Sequence, residues 1–152
     1  MAGQDSESRF ERPSITSVVV CRGCCCGTAN KHPGTDHPRQ LDELRDSARR
    51  AGIRLRIAKC LDQCEHSNVI VVRQRHGARI TSTWLGDMLR EAQTKAIADW
   101  IRHGEPGALP PELAKQSFEP RPTRPPLAER YAAGLESSLT CPLATRSAVG
   151  DL

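Results

Sequence analysis

Six of the chain's seven cysteines fall in two short groups, Cys21, Cys24, Cys25 and Cys26 in the first and Cys60 and Cys64 in the second. The first group can be read as C-x4-C (Cys21 and Cys26), and the second is C-x3-C. Clustered thiolates are ligands for soft metals, so the chemistry they point to is tetrahedral zinc or an iron–sulfur cluster. Two features favour the cluster. A four-cysteine zinc site is usually a knuckle of close C-x2-C pairs in a unit without a core, whereas apolar strands flank both groups here. The wider pairs also suit a rhomb in which each pair of thiolates serves one iron. Cys21 and Cys24 can alternatively form a redox C-x2-C of the thioredoxin kind. The helix of such a motif starts at once, yet Pro33, Gly34 and Pro38 delay it here, and Cys60 and Cys64 would have no task.

A [2Fe–2S] core on four thiolates carries a charge of roughly −2 when oxidised, so nearby donors and cations lower the cost of burying it. Gly23 and Gly27 let the loop turn its N–H groups inward, and Arg22, Lys31 and Lys59 lie close to cysteines in sequence. His32, His37, His66, His76 and His103 read as surface residues. The paired Cys and His spacing of a Rieske centre is absent.

Both groups directly follow strand-like segments. Ile15 to Val20 ends in Val18-Val19-Val20, the pattern of a strand buried on both faces, and Ile53, Leu55 and Ile57 alternate with Arg54 and Arg56. Between them Leu41, Leu44, Ala48 and Ala51 recur at helical spacing, with Asp36 as the cap and Gly52 as the stop. Val69–Val72 and 80–84 read as a hairpin turning at Arg75-His76-Gly77. Asp87 is the expected cap of a last helix whose buried stripe is Met88, Leu89, Ala92, Ala96, Ile97, Trp100 and Ile101, closed by His103 and Gly104. The order β-α-β-β-β-α predicts an α/β two-layer sandwich with the first two strands parallel. Parallel neighbours bring both cysteine loops to one edge of the sheet, the usual place for a site in an open α/β sheet.

The expected domain runs over 15–104, behind a polar N-terminus, 1–14, that is expected to be disordered. From 105 to 152 the chain is rich in Pro and Arg and is expected to be a disordered tail, with a short helix over 127–135 and Cys141 standing alone. Arg49, Arg50, Arg54 and Arg56 read as one solvated face, open to an acidic partner. The start has no secretory core and nowhere is an apolar run long enough to span a bilayer, so no membrane and a cytoplasmic location are expected, where disulfides are rare. A net charge of +4 and aromatics of 3% do not point to nucleic acid.

The segments Val18-Val19-Val20-Cys21-Arg22-Gly23-Cys24-Cys25-Cys26-Gly27, Cys60-Leu61-Asp62-Gln63-Cys64 and Ser67-Asn68-Val69 resemble the thioredoxin-like [2Fe–2S] ferredoxins, among them stand-alone actinobacterial proteins. The same module forms the small iron–sulfur subunit of respiratory complex I and occurs in NADH-linked hydrogenases. The resemblance covers about residues 15 to 104 and implies a [2Fe–2S] cluster on Cys21, Cys26, Cys60 and Cys64. Cys24 and Cys25 depart from the family pattern, and either can stand in for Cys26. The implied function is one-electron transfer between redox partner proteins, as a monomer or a homodimer, without catalysis of its own. The alternatives are a four-cysteine zinc-binding interaction module and a thiol–disulfide oxidoreductase using Cys21 and Cys24.

Overall fold

Successive side chains of a strand point to opposite faces, so Val18 and Val20 share one side of β1 (Ser14–Cys21) and Val19 takes the other. The computed structural model describes residues 14–23, 26–104 and 107–122. Cys24, Cys25, Cys141 and the helix expected over 127–135 lie outside them. β1 pairs in parallel with β2 (Arg54–Ala58), Val18 opposite Leu55 and Val20 opposite Ile57. It pairs antiparallel with β3 (Ile70–His76), which in turn pairs antiparallel with β4 (Arg79–Leu85). The resulting mixed four-stranded sheet has the order β2-β1-β3-β4.

The hairpin strands outrun their apolar cores. His76 pairs with Arg79, so the turn is Gly77-Ala78, with Gly77 at φ +57° supplying the left-handed conformation, rather than the expected Arg75-His76-Gly77.

Helix α1 (His37–Arg50) starts where Asp36 accepts a 3.0 Å hydrogen bond from the Arg39 amide, and it tolerates Pro38 because the first turn has no intrahelical acceptor for its N–H. Helix α2 (Glu91–His103) differs from its expected start. Arg90 is its cap, and the Gln93 side chain accepts from the amides of Leu89 and Arg90 at 3.0 and 2.9 Å. Asp87 instead sits at φ 51° in the preceding loop. Met88 is buried but non-helical, so a stripe phased from it misassigns Ala92, which is exposed. Thr94 and Ala98 are buried on the real stripe with Ile97, Trp100 and Ile101.

Both helices cover one face of the sheet. Leu44, Met88, Ile97, Trp100 and Ile101 pack there on Val18, Val20, Ile70, Val72 and Leu85. The opposite face carries a smaller cluster of Cys21, Cys26, Val69 and Val71, with Val19, Leu61, Trp84 and Phe118 packed against it. None of the described helices is long and apolar enough to cross a membrane.

The folded chain continues past Gly104, where the fading apolar pattern suggested its end. A short 3-10 helix (Pro111–Gln116) drives Leu113 into the main core at 0% exposure. Ser117 bridges to Leu85 at the edge of β4, and the Phe118 amide donates to the Trp84 carbonyl at 3.1 Å. The division of the chain into two units falls after Pro120. Leu109, Leu113 and Phe118 are isolated apolar residues among prolines, so no helical or strand period announces them.

Candidate metal centre

Cys21 is the last residue of β1, opposite Ala58 at the end of β2, and both chains leave the sheet there together. The crossing of the two loops is close. The Arg22 amide donates to the Ala58 carbonyl at 2.9 Å, and a β-carbon on Gly23 would lie 1.7 Å from the Lys59 carbonyl oxygen. Only glycine fits this contact, which brings the loop after β1 against the start of the loop after β2.

Within this junction the sulfurs form two pairs. Cys21 and Cys26 are buried, 3% and 2% exposed, and hydrogen-bonded to each other through their side chains. Cys60 is exposed, and its Sγ lies 3.9 Å from that of the half-buried Cys64. Thiolates 2.3 Å from one tetrahedral metal are separated by about 3.8 Å, so this pair already has the spacing of two ligands on a common ion. The pairs adjoin: the Leu61 amide, between Cys60 and Cys64, donates to Cys21, whose Sγ is 3.9 Å from the Lys59 carbonyl. Among the described residues no three His, Cys, Asp or Glu side chains converge as a set for a single metal ion. Two thiolates per metal is what a two-iron rhomb requires, whereas a four-cysteine zinc site needs all four on one ion. The Cys60–Cys64 spacing meets that two-per-metal requirement, and the Cys21–Cys26 pair adjoins it.

Hydrogen-bond donors and positive charge surround these sulfurs. Cys21 also accepts from the Gly23 amide, Cys26 from the Val69 amide and the Ser67 hydroxyl, and Cys60 from the Asp62 amide at 3.3 Å. Asp62 reaches that position through φ 56°. The Cys26 thiol is drawn down to about 6, chiefly by the hydrogen bond from Cys21, with the Val69 amide, the Lys31 charge and Ser67 adding to it against the effect of burial. The same shared proton, with burial, pushes the Cys21 thiol up. One thiolate is thus already favoured in this pair, and Cys21 holds the proton.

Beneath the pair lies a buried polar network that the apolar pattern conceals. Arg22 donates from Nη1 to the Asn68 side-chain oxygen and from Nη2 to that of Gln40, both at 2.6 Å, and Nη1 also reaches the Cys21 carbonyl at 3.0 Å. Gln40 is held in turn by its own donation to the Met88 carbonyl at 2.7 Å and to Thr94 at 3.0 Å. Burial lowers the Arg22 pKa, and the negative charge of the cysteine pair, Cys26 first, offsets that. Among the described residues Arg22 meets no carboxylate, so the cysteines are its counter-charge. Lys31 donates to the Cys64 carbonyl, tying the two loops a second time.

Of the cations expected near the site, Arg22 and Lys31 reach it, while Lys59 is exposed and contributes its carbonyl. One histidine is not the surface residue expected: His37 is 6% exposed at the start of α1. His66 keeps a partly exposed side chain and stacks on Phe118 with ring centres 4.2 Å apart. Gln40 and Asn68 were missed because they read as ordinary polar residues. Their signal was position, Gln40 one turn before Leu44 on the buried stripe and Asn68 directly before Val69–Val72. Comparison with family models, curated proteins and solved structures finds no match.

Proposed function

We propose that the chain is a one-electron carrier with a thioredoxin-like arrangement of its layers, holding a [2Fe–2S] cluster on Cys21, Cys26, Cys60 and Cys64. The observation that carries this reading is the division of the four sulfurs into two adjoining pairs at the ends of neighbouring parallel strands, above a half-buried guanidinium that meets no carboxylate among the described residues. The group would supply a reversible one-electron step without a change of ligands. The protein's share is to hold and screen it. Cys60 gives the site its exposed side, while Cys21 and Cys26 anchor it inside. Amides of Gly23, Leu61, Asp62 and Val69, with the Ser67 hydroxyl, donate to the sulfurs and spread their charge. Arg22 and Lys31 add positive charge, which favours the more negative, reduced state. No general base and no substrate cavity are required, and redox partner proteins are the expected donors and acceptors.

Thiol–disulfide exchange is the second reading, supported by the hydrogen-bonded Cys21–Cys26 pair and the low pKa of Cys26. Against it stands the burial of both sulfurs, which keeps a partner's disulfide away. The test is the visible spectrum of anaerobically purified protein together with iron, sulfide and zinc analysis. Two irons and two sulfides in a red-brown protein bleached by dithionite are expected, with colour lost or weakened in Cys60→Ser and Cys64→Ser. A colourless protein with one zinc makes it an interaction module. Disulfide reduction that survives Cys60→Ser and fails in Cys21→Ser makes it an oxidoreductase.

A further inference from the structure

The four strands contain five arginines and neither aspartate nor glutamate. Strand alternation assigns four of these arginines to the face opposite the helices. Leu55 packs toward the core, so Arg54 and Arg56 point away, and Val72 does the same for Arg73, with Arg75 two residues on. The register then arranges them. Arg54, Ser17, Arg73 and Ser82 form one row across the sheet, and Arg56, Val19, Val71 and Trp84 form the next. Arg54 and Arg73 stand two strand spacings apart, about 10 Å. Arg75 opens a third row opposite Ser14 and Ile80. All four arginines are exposed, and among the described residues none is in an ion pair. The helix layer is different: Arg45 pairs with Asp42, and Arg49 and Arg50 both pair with Asp46. The four arginines at 49, 50, 54 and 56 that looked like one solvated face therefore belong to two, and only the sheet layer keeps its charge uncompensated.

This basic face is also the cysteine face. Ser17, Val19 and Cys21 alternate along one side of β1, so Cys21 lies roughly 13 Å along the strand from the row of Arg54 and Arg73. Val19, Val71 and Trp84 lie between them and pack with Cys21 and Cys26. We propose that the outer sheet face, marked by Arg54, Arg56, Arg73 and Arg75, is a docking surface for an acidic protein that exchanges electrons with the cysteine site. The link to that site rests on the carrier reading. The docking itself rests on charge: an acidic surface is the complement of a basic face with an apolar centre. A single-stranded nucleic acid is the weaker match, because among the described residues Trp84 is the face's sole aromatic for stacking apart from Phe118, which is engaged with His66.

The experiment is a binding titration of the full chain with a polyglutamate peptide and, separately, with oligothymidylate, followed by calorimetry at low salt and at about 0.15 M, where the screening length is ~8 Å. Polyglutamate is expected to bind at low salt and weaken as salt rises. In the variant combining Arg54→Gln, Arg56→Gln, Arg73→Gln and Arg75→Gln, affinity is expected to fall about tenfold or more. In the control combining Arg45→Gln, Arg49→Gln and Arg50→Gln it should change by about twofold or less. Undiminished binding in the sheet variant, an equal loss in the helix control, or no binding by the unmodified chain overturns the proposal. Tighter binding of oligothymidylate than of polyglutamate overturns it in favour of nucleic acid. All substituted side chains are exposed, and matching circular dichroism and melting curves identify folded variants. Visible absorbance is recorded on the same samples, so failure of the cluster reading appears as lost colour with binding intact, and failure of the docking reading as the reverse.

Discussion

Gly23 and Lys59 meet backbone to backbone, so closely that a β-carbon on Gly23 would overlap the Lys59 carbonyl oxygen at 1.7 Å. This contact joins the two cysteine loops. Gly23→Ala must push them apart, and a loss of about 2–3 kcal/mol in folding stability is expected. Gly34→Ala is the control, since nothing lies within 4 Å of its added methyl, and it should stay within about 0.5 kcal/mol. Urea denaturation of the two variants checks both values.

Removing the half-buried Arg22 guanidinium tests the network beneath the sulfurs. Arg22→Met strips the Asn68 oxygen of its 2.6 Å donor and leaves Gln40 Oε1 with only Asn68 Nδ2, at 2.5 Å. A loss of about 1–3 kcal/mol is expected from the unsatisfied acceptor. Arg22→Lys should recover part of it, because an ammonium keeps the charge but cannot span both acceptors as the planar fork does. Equilibrium unfolding of both variants decides whether reach or charge matters more.

Stability of the reduced, metal-free protein is expected to depend on pH through the Cys21–Cys26 pair. Cys26 ionises near 6 in the folded chain and near 9.0 in the unfolded one, so its contribution is fully present above pH 9 and is lost as pH falls through 6. The Cys21 thiol is pushed up, so its contribution is present below pH 9 and is lost as pH rises beyond it. Stability attributable to the pair should therefore peak near pH 9. Cys26→Ser should flatten the rise between pH 6 and pH 9, measured as unfolding free energy at a series of pH values.

The segment after α2 has a measurable share in the fold. Leu113 is fully buried with Leu85, Ile97 and Trp100 in the main core, and Leu113→Ala should cost about 2–5 kcal/mol. Thermal melting should show the loss, together with a comparable one in a chain ending at Gly104. If neither variant melts lower, the segment is packed without contributing.

These cases mark what the sequence makes legible. Strong periodicity was readable: Val18 to Val20, Leu55 and Ile57, and the stripe through Leu44 and Ala48 lie in the elements they predicted, within a mixed α/β fold, although Ile53 falls just before β2 and Ile57 is half exposed. The position of the cysteines after β1 and β2 was readable too, because it follows from local order. Three kinds of information were not. A cap made by the Gln93 side chain on the amides of Leu89 and Arg90 leaves no short polar signature at the cap position, which is why Asp87 looked the better choice. Leu113 and Phe118 act through long-range packing without a period. The pairing of Arg22 with Gln40 and Asn68 joins residues 18 and 46 positions apart, and only the tertiary fold brings them together.

The absence of carboxylates from the strands bears on self-association as well. A sheet with two edges can recruit another copy through the unpaired backbone of its outer strands. At one edge, Ser117 bridges to Leu85 and shortens the free length of β4. At the other, β2 exposes Ile57 at 50% of its surface, which alone would invite pairing, but Arg54 and Arg56 project from the same strand. A second β2 laid antiparallel would set these arginines near their own copies with no acidic residue on the strand to neutralise them, and like charges facing each other oppose the pairing. The charge pattern thus acts as a guard against runaway sheet extension, and a variant with Arg54 and Arg56 made apolar would shed that guard.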